Sequence, residues 1–235
     1  MSIRAILFDK DGTLISFEKT WGPAIGAVIV ALAKGDPEKL AAQAEALHFS
    51  LDEMVFLPTS PIIAGSTFQY GPLWAAALGR DDPHALKAEI DALTAVESLR
   101  SLTPIGEPQQ VILDLKGLGL VIGVATNDSE ASALRQIRAL GLIDHMDFVA
   151  GYDSGHGSKP EPGMILAFAD RHGLPPSEVA MVGDTQHDLD AARAAGAVAI
   201  AVLSGPASRA ALEPHADYVL DDISGLPGLI GRLNG

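Results

Sequence analysis

The stretch Ile3-Arg4-Ala5-Ile6-Leu7-Phe8-Asp9-Lys10-Asp11-Gly12-Thr13-Leu14 runs from an apolar segment directly into two acids and a glycine. A short run that is apolar rather than alternating suits a strand buried on both faces, as in a parallel sheet. Open parallel sheets bind ligands beyond the carboxyl ends of their strands, and Asp9 and Asp11 fall at such an end. Residues i and i+2 of an extended chain project to one side. Two carboxylates that close repel each other unless a cation sits between them or they share a proton. Gly12 allows a sharp turn there. Asp and Gly are also ordinary turn residues, so this pattern gains its weight from what recurs further along the chain.

Similar apolar runs recur at Leu120–Ala125, Phe148–Ala150, Val179–Val182, Val198–Leu203 and Tyr218–Leu220. Between them lie segments with helical spacing at Pro108–Lys116, Glu130–Leu140, Pro162–His172, Leu189–Ala195 and Ser208–Leu212. Gly117, Gly141, Gly173 and Gly196 supply stop signals. Strand alternating with helix predicts a parallel sheet covered by helices on both faces. The segment from Ser16 to Arg100 breaks this rhythm. It reads as an all-helical insertion after the first strand, with helices at Pro23–Ala33, Pro37–His48, Pro72–Leu78 and Pro83–Leu99. Each opens on a proline, a start signal, and a Gly/Pro/Ser-rich loop spans Pro58 to Gly71.

Three further strand ends carry polar groups. Thr126-Asn127-Asp128-Ser129 offers a hydroxyl and backbone amides near a helix N-terminus, an anion site, although Asp128 or Ser129 also serves as a plain N-cap. Lys159 lies in the Gly/Pro-bounded loop Gly155–Gly163, where a rigid loop aims an ammonium or merely exposes it. Asp184 and Asp188 follow the strand Val179–Val182, with Asp184 expected as helix N-cap and Asp188 in the first turn. The weight lies in the set: acids, a hydroxyl and a cation all fall at one rim. Oxygen ligands without Cys or paired His suggest a hard cation, Mg2+ above all. A metal, a lysine and backbone amides together make a phosphate site.

Composition sets the limits. The 235 residues are 48% hydrophobic and 20% charged, too apolar for a chain that is mainly disordered. The net charge of −14 argues against nucleic acid and anionic membranes as partners. The lack of cysteine excludes disulfide scaffolds, thiolate metal sites and thiol catalysis. Residues 1–4 resemble no signal peptide, and the apolar run Ala24–Ala33 is too short to span a bilayer. The expectation is a cytoplasmic protein, monomeric or homodimeric, acting on a small molecule.

The order Asp-x-Asp-Gly-Thr (9–13), Thr-Asn (126–127), Ser-Lys-Pro (158–160) and Gly-Asp-x-x-x-Asp (183–188) resembles the four motifs of the haloacid dehalogenase (HAD) superfamily. The resemblance implies a Rossmann-like core over 1–15 and 101–235, and a helical cap of the C1 type over 16–100. It is nearest to the phosphoglycolate phosphatase-like branch. It implies Asp9 as nucleophile through an aspartyl-phosphate, and Asp11 as acid and then base. Thr126, the Asn127 amide and Lys159 would bind phosphate. Mg2+ would be held by Asp9, the Asp11 carbonyl, Asp184 and, directly or through water, Asp188. The implied activity is a Mg2+-dependent phosphatase acting on a small phosphorylated metabolite, with phosphoglycolate first. The alternatives are a phosphomutase, a phosphonatase, or a regulatory module that keeps the fold. Asp11 argues against a dehalogenase. Ser66, Thr67, Gln69 and Tyr70 of the Ile62–Tyr70 loop are candidates to read the leaving group, ahead of Arg80, His84 and His48; Trp21 and Trp74 are expected to be packing residues.

Overall fold

β-branched and aliphatic runs bounded by glycine-terminated helices fold here as alternating strands and helices. In the computed structural model, which describes residues 2–63, 65 and 67–235, the elements run β1 (Ala5–Phe8), α1 (Phe17–Ala33), α2 (Pro37–Ala46), β2 (Phe49–Ser50), β3 (Val55–Phe56), α3 (Thr67–Ala77), α4 (Pro83–Arg100), α5 (Pro108–Gly117), β4 (Val121–Ala125), α6 (Glu130–Ala139), β5 (Phe148–Ala150), α7 (Gly163–Arg171), β6 (Val179–Gly183), α8 (Gln186–Ala195), β7 (Val198–Val202), α9 (Arg209–Leu212), β8 (Tyr218–Leu220) and α10 (Leu226–Asn234). The chain divides into two units, Met1–Ser16 with Pro104–Gly235, and Phe17–Thr103.

The first unit is the α/β fold expected from the alternation. Its sheet has the order β5-β4-β1-β6-β7-β8, with every pairing parallel. The chain builds outward from β1 to β4 and β5, then returns to the other side of β1 with β6. That reversal opens a crevice at the carboxyl ends of β4, β1 and β6. Strand alternation sends Ile6 and Phe8 into one core layer with Val111, Ile112 and Leu115 of α5, Ile137 of α6, and Leu229 and Ile230 of α10. Ala5 and Leu7 enter the opposite layer with Ile165 and Phe168 of α7 and Leu189 of α8. The sheet is thus buried on both faces, which is why its strands read as continuous apolar runs.

The second unit is mostly helical, with its own core of Trp21, Ile25, Val28, Ile29, Leu47, Phe49, Phe56, Trp74, Leu86 and Ile90. Two expectations need correction. The insertion is not all helix, because β2 and β3 form a short antiparallel hairpin with Phe49 opposite Phe56. The two rings meet edge-on at 5.2 Å between centroids, so aromatic pairing holds a hairpin too short for any periodicity to reveal. Proline also marks helix starts only at Pro37 and Pro83; Pro23 and Pro72 lie inside α1 and α3. Each of these two follows a glycine, Gly22 or Gly71, so the residue before the ring has no Cβ to clash in the helical conformation. As a result α3 begins at Thr67, inside the stretch expected to be loop. No helix among the described residues is long and apolar enough to cross a membrane.

A buried amide ties three helices of this unit together. Gln43, on α2, accepts from Trp74 Nε1 at 2.7 Å and donates to the Ile29 carbonyl at 3.2 Å and the Lys39 carbonyl at 3.0 Å. Gln43→Leu keeps the volume but strands the buried indole N–H. The expected cost is about 1–3 kcal/mol of stability, seen as an earlier urea midpoint at unchanged slope; an unmoved midpoint would contradict the bridging role.

Candidate active site

The sequence-expected residues all lie in the first unit: Asp9, Asp11, Thr126, Asn127, Lys159 and Asp184 on the loops leaving β1, β4, β5 and β6, and Asp188 in the first turn of α8. Burial is deep: Asp9, Thr126, Lys159, Asp184 and Asp188 are each 5% exposed or less. The Lys159 ammonium bridges two of the acids, 2.5 Å from Asp9 Oδ1 and 2.6 Å from Asp188 Oδ1. Asp188 uses its other oxygen, Oδ2, to accept from the Thr185 amide at 3.0 Å and the Thr185 hydroxyl at 2.7 Å. Thr185, not Asp184, is therefore the N-cap of α8. Asp184 is released from capping and turned into the crevice, where Oδ1 accepts from the Thr13 hydroxyl at 3.1 Å.

Lys159 is held from its backbone as well. The Asn127 side chain accepts from the Lys159 amide at 2.9 Å and donates to its carbonyl at 3.0 Å. This two-point clamp ties the loop after β4 to the loop carrying the lysine. Asn127 thereby keeps its own backbone amide near the N-terminal turn of α6, whose N-cap is Ser129. The Thr126 hydroxyl accepts from the Asp128 amide at 3.1 Å and donates toward Asp11 Oδ2 at 3.5 Å.

Several participants were not singled out by sequence. Lys10 is wholly buried, 2.6 Å from Asp11 Oδ2, 3.2 Å from Asp128 Oδ2 and 2.5 Å from Gln136 Oε1. The available signal was parity, since Lys10 follows Ile6 and Phe8 on the strand face that enters the α5–α6 layer. The Ser204 hydroxyl, from the loop after β7, donates to the Gly12 carbonyl at 2.7 Å. Gly12 adopts φ +86°, and a Cβ there would lie 2.2 Å from Asp184 Oδ2. Both the turn and this close approach require glycine. In the second unit, Thr67 Oγ1 and Tyr70 OH bond each other at 3.1 Å, both on α3. Arg80 is engaged by Asp82 and Glu89, and His48 by Thr59. Ser66 lies outside the described residues.

The electrostatics call for a further cation. Five carboxylates (Asp9, Asp11, Asp128, Asp184 and Asp188) meet two ammonium groups, those of Lys10 and Lys159. Ligand oxygens of Asp9, Asp184 and Asp188 lie within 4.8 Å of one another, and Asp184 Oδ2 is buried without a hydrogen-bond partner. A hard cation suits such a donor set, so the residues fit a metal. Without one, Asp9 is pushed up to about 7, chiefly by burial; Lys159 pulls it down, and the charges of Asp188 and Asp11 push it further up. Asp184 is raised well above the ordinary carboxyl range by burial and by Asp9 and Asp188. Burial lowers the pKa of Lys159, but the charges of Asp188 and Asp9 outweigh it, and the net shift is upward. Lys10 is likewise raised, with Asp11 and Asp128 outweighing burial.

Comparison with known proteins identifies the class. The family model for haloacid dehalogenase-like hydrolases matches residues 3–196. A phosphoglycolate phosphatase of Chromobacterium violaceum is 30% identical over 97% of this chain and 96% of its own length. One from Rhodospirillum rubrum is 30% identical over 97% and 91%. Among solved structures, a predicted phosphoglycolate phosphatase from Haemophilus somnus superposes with a TM-score of 0.73 at 18% identity, covering 97% of this chain and 98% of its own. The chain belongs to the haloacid dehalogenase-like hydrolases. Its full-length likeness to phosphatases makes it a phosphoric monoester hydrolase.

The raised carboxyls carry a prediction for the metal-free protein. Their folded pKa values exceed the unfolded value, so the folded state holds protons that the unfolded chain releases. Stability then falls as pH rises from about 4 through about 7. In EDTA the melting temperature is expected to drop between pH 5 and pH 7.5. Asp184→Asn should flatten that drop, and Mg2+ should raise the wild-type melting temperature more at pH 7.5 than at pH 5. A melting temperature equal at both pH values would contradict this reading of the cluster.

Proposed function

We propose that this chain is a Mg2+-dependent phosphatase that works through an aspartyl-phosphate, with phosphoglycolate as its first candidate substrate. One observation carries the reading: Asp9 is pinned by Lys159 beside the unpartnered oxygen of Asp184, at the carboxyl rim of the sheet. The substrate choice is supported by the names of the two full-length relatives. The unit Phe17–Thr103 is assigned the role of a cap that reads the leaving group.

In this mechanism the Asp9 carboxylate attacks phosphorus, forming a new O–P bond as the ester P–O bond breaks. The departing oxygen takes a proton from the Asp11 carboxyl. Asp11, now a carboxylate, removes a proton from the water that attacks the phosphorylated Asp9. Inorganic phosphate leaves and Asp9 is restored. Lys159 orients Asp9 and offsets the repulsion between an anionic nucleophile and an anionic ester. The Thr126 hydroxyl and the Asn127 amide would hold phosphate oxygens. Mg2+, held by Asp9, Asp184 and the Asp11 carbonyl with Asp188 beside them, would supply charge neutralisation at the transferring phosphoryl group.

The test is phosphate release from phosphoglycolate, sugar phosphates, nucleotides and p-nitrophenyl phosphate, with Mg2+ and with EDTA. Wild-type release should require Mg2+, and Asp9→Asn should lose at least about 10³-fold in kcat while keeping its fold by circular dichroism. Activity retained in Asp9→Asn would remove the nucleophile from this scheme. Ca2+ in place of Mg2+ should inhibit, because its looser, larger coordination misplaces nucleophile and phosphate; full activity with Ca2+ would count against the ligand set.

A further inference from the structure

Lys10 occupies a position where the sheet needs no charge. It follows Ile6 and Phe8 into the layer built by α5 and α6, and it is fully buried. Replacing a buried ion pair as a whole by apolar side chains is often neutral or stabilising, whereas removing one partner alone is costly. Stability therefore does not account for keeping Lys10 together with its acids in that layer, whereas the geometry suggests a task. The Lys10 ammonium donates to Gln136 Oε1 at 2.5 Å and is ion-paired with Asp11 Oδ2 at 2.6 Å and Asp128 Oδ2 at 3.2 Å. Asp128 belongs to the loop after β4 and Gln136 to α6, so the ammonium is anchored from the fold side and reaches Asp11 from beneath the site. The same Asp11 oxygen faces the Thr126 hydroxyl at 3.5 Å.

We propose that Lys10, anchored by Asp128 and Gln136, is a positioning residue that fixes the rotamer of Asp11 for proton transfer to the leaving group. This rests on the proposed role of Asp11 as acid. The Asp11 side chain is 18% exposed at the edge of the crevice and follows no rigid element, since β1 ends at Phe8. Unheld, its carboxyl would sample several rotamers. Held at Oδ2 by the ammonium and the hydroxyl, it delivers its proton through Oδ1 to the ester oxygen. The proton moves from Asp11 to the alcohol as the P–O bond breaks, and Lys10 neither gains nor loses one. Positioning of this kind acts on the step in which the leaving group departs. It therefore matters most for esters whose alcohol must be protonated, and little for an ester whose leaving group is already a stable anion.

Leaving-group dependence separates this role from a merely structural one. Single turnovers isolate alcohol release from the later hydrolysis of phosphorylated Asp9, in which Asp11 is the base; in them Lys10→Met should slow alcohol release from phosphoglycolate, an alkyl ester, by about 10²-fold, within the range of general acid catalysis. On p-nitrophenyl phosphate the same variant should lose at most about threefold, with KM unmoved on both esters. Gln136→Leu, a change outside the crevice, should show the same asymmetry at about tenfold, and it decides the matter if Lys10→Met fails to fold. Equal losses on the two esters, or no loss on either, would overturn the proposal. Asp11→Asn measured alongside keeps the parent reading separate. If Asp11→Asn discriminates between the esters and the Lys10 and Gln136 variants do not, only the role of Lys10 falls. If Asp11→Asn slows alcohol release from both esters equally in single turnovers, the acid role of Asp11 falls, and this inference with it.

Discussion

Five acids gathered in a buried crevice would push one another apart, and the arrangement of the first unit answers that repulsion. Lys159 separates Asp9 from Asp188, and Lys10 separates Asp11 from Asp128. Asp184 keeps one oxygen with no partner. The two lysines sit on opposite sides of the chain that leaves β1. One faces the crevice from the loop after β5, and the other lies beneath it against α6. Each ammonium pairs with two carboxylates, and Lys10 also donates to the Gln136 amide oxygen. The elements around the rim serve the same end: Thr185 takes over the cap of α8 so that Asp184 is free, and Asn127 grips the backbone of Lys159 so that its ammonium has a fixed origin.

Much of this was readable from the residues. The continuous apolar runs imply a two-sided parallel sheet, and the strand ends collect Asp9, Asp11, Thr126, Asn127, Lys159, Asp184 and Asp188 in one unit. The elements that escaped did so for physical reasons. The hairpin of β2 and β3 is two residues on each side, below the length at which alternation is visible. Pro23 and Pro72 read as helix starts because proline usually is one; the preceding glycine, which lets the ring enter a helix interior, was present but outweighed. Thr185 and Asp184 compete for one cap, and only the side-chain direction of Asp188 settles which wins.

Lys10 shows the limit of motif reading most clearly. Between two acids, a lysine looks like local charge balance at the surface. Its depth follows from strand parity and from the fact that α6 covers that face, which is a property of the tertiary arrangement. Partners 118 and 126 residues away, Asp128 and Gln136, decide what it does. In the second unit the polar candidates near α3 and in the neighbouring loops are similarly claimed by near neighbours: Thr67 by Tyr70, Arg80 by Asp82 and Glu89, His48 by Thr59. Selectivity read from such side chains would require those contacts to be exchanged for contacts with a ligand.

The bond from Ser204 to the Gly12 carbonyl has a consequence for how this fold tolerates change. It couples the loop after β7 to the turn at Gly12, where a side chain has no room. The loop joining α7 to β6, at the opposite rim of the sheet, is tied to the chain entering β1, where the Arg4 amide donates to the Glu178 carbonyl at 2.9 Å. Lengthening the segment after β7 would instead shift the register of the turn between Asp11 and Thr13. Grafts or insertions intended to alter this enzyme would therefore meet a restriction at a serine that carries no chemistry of its own.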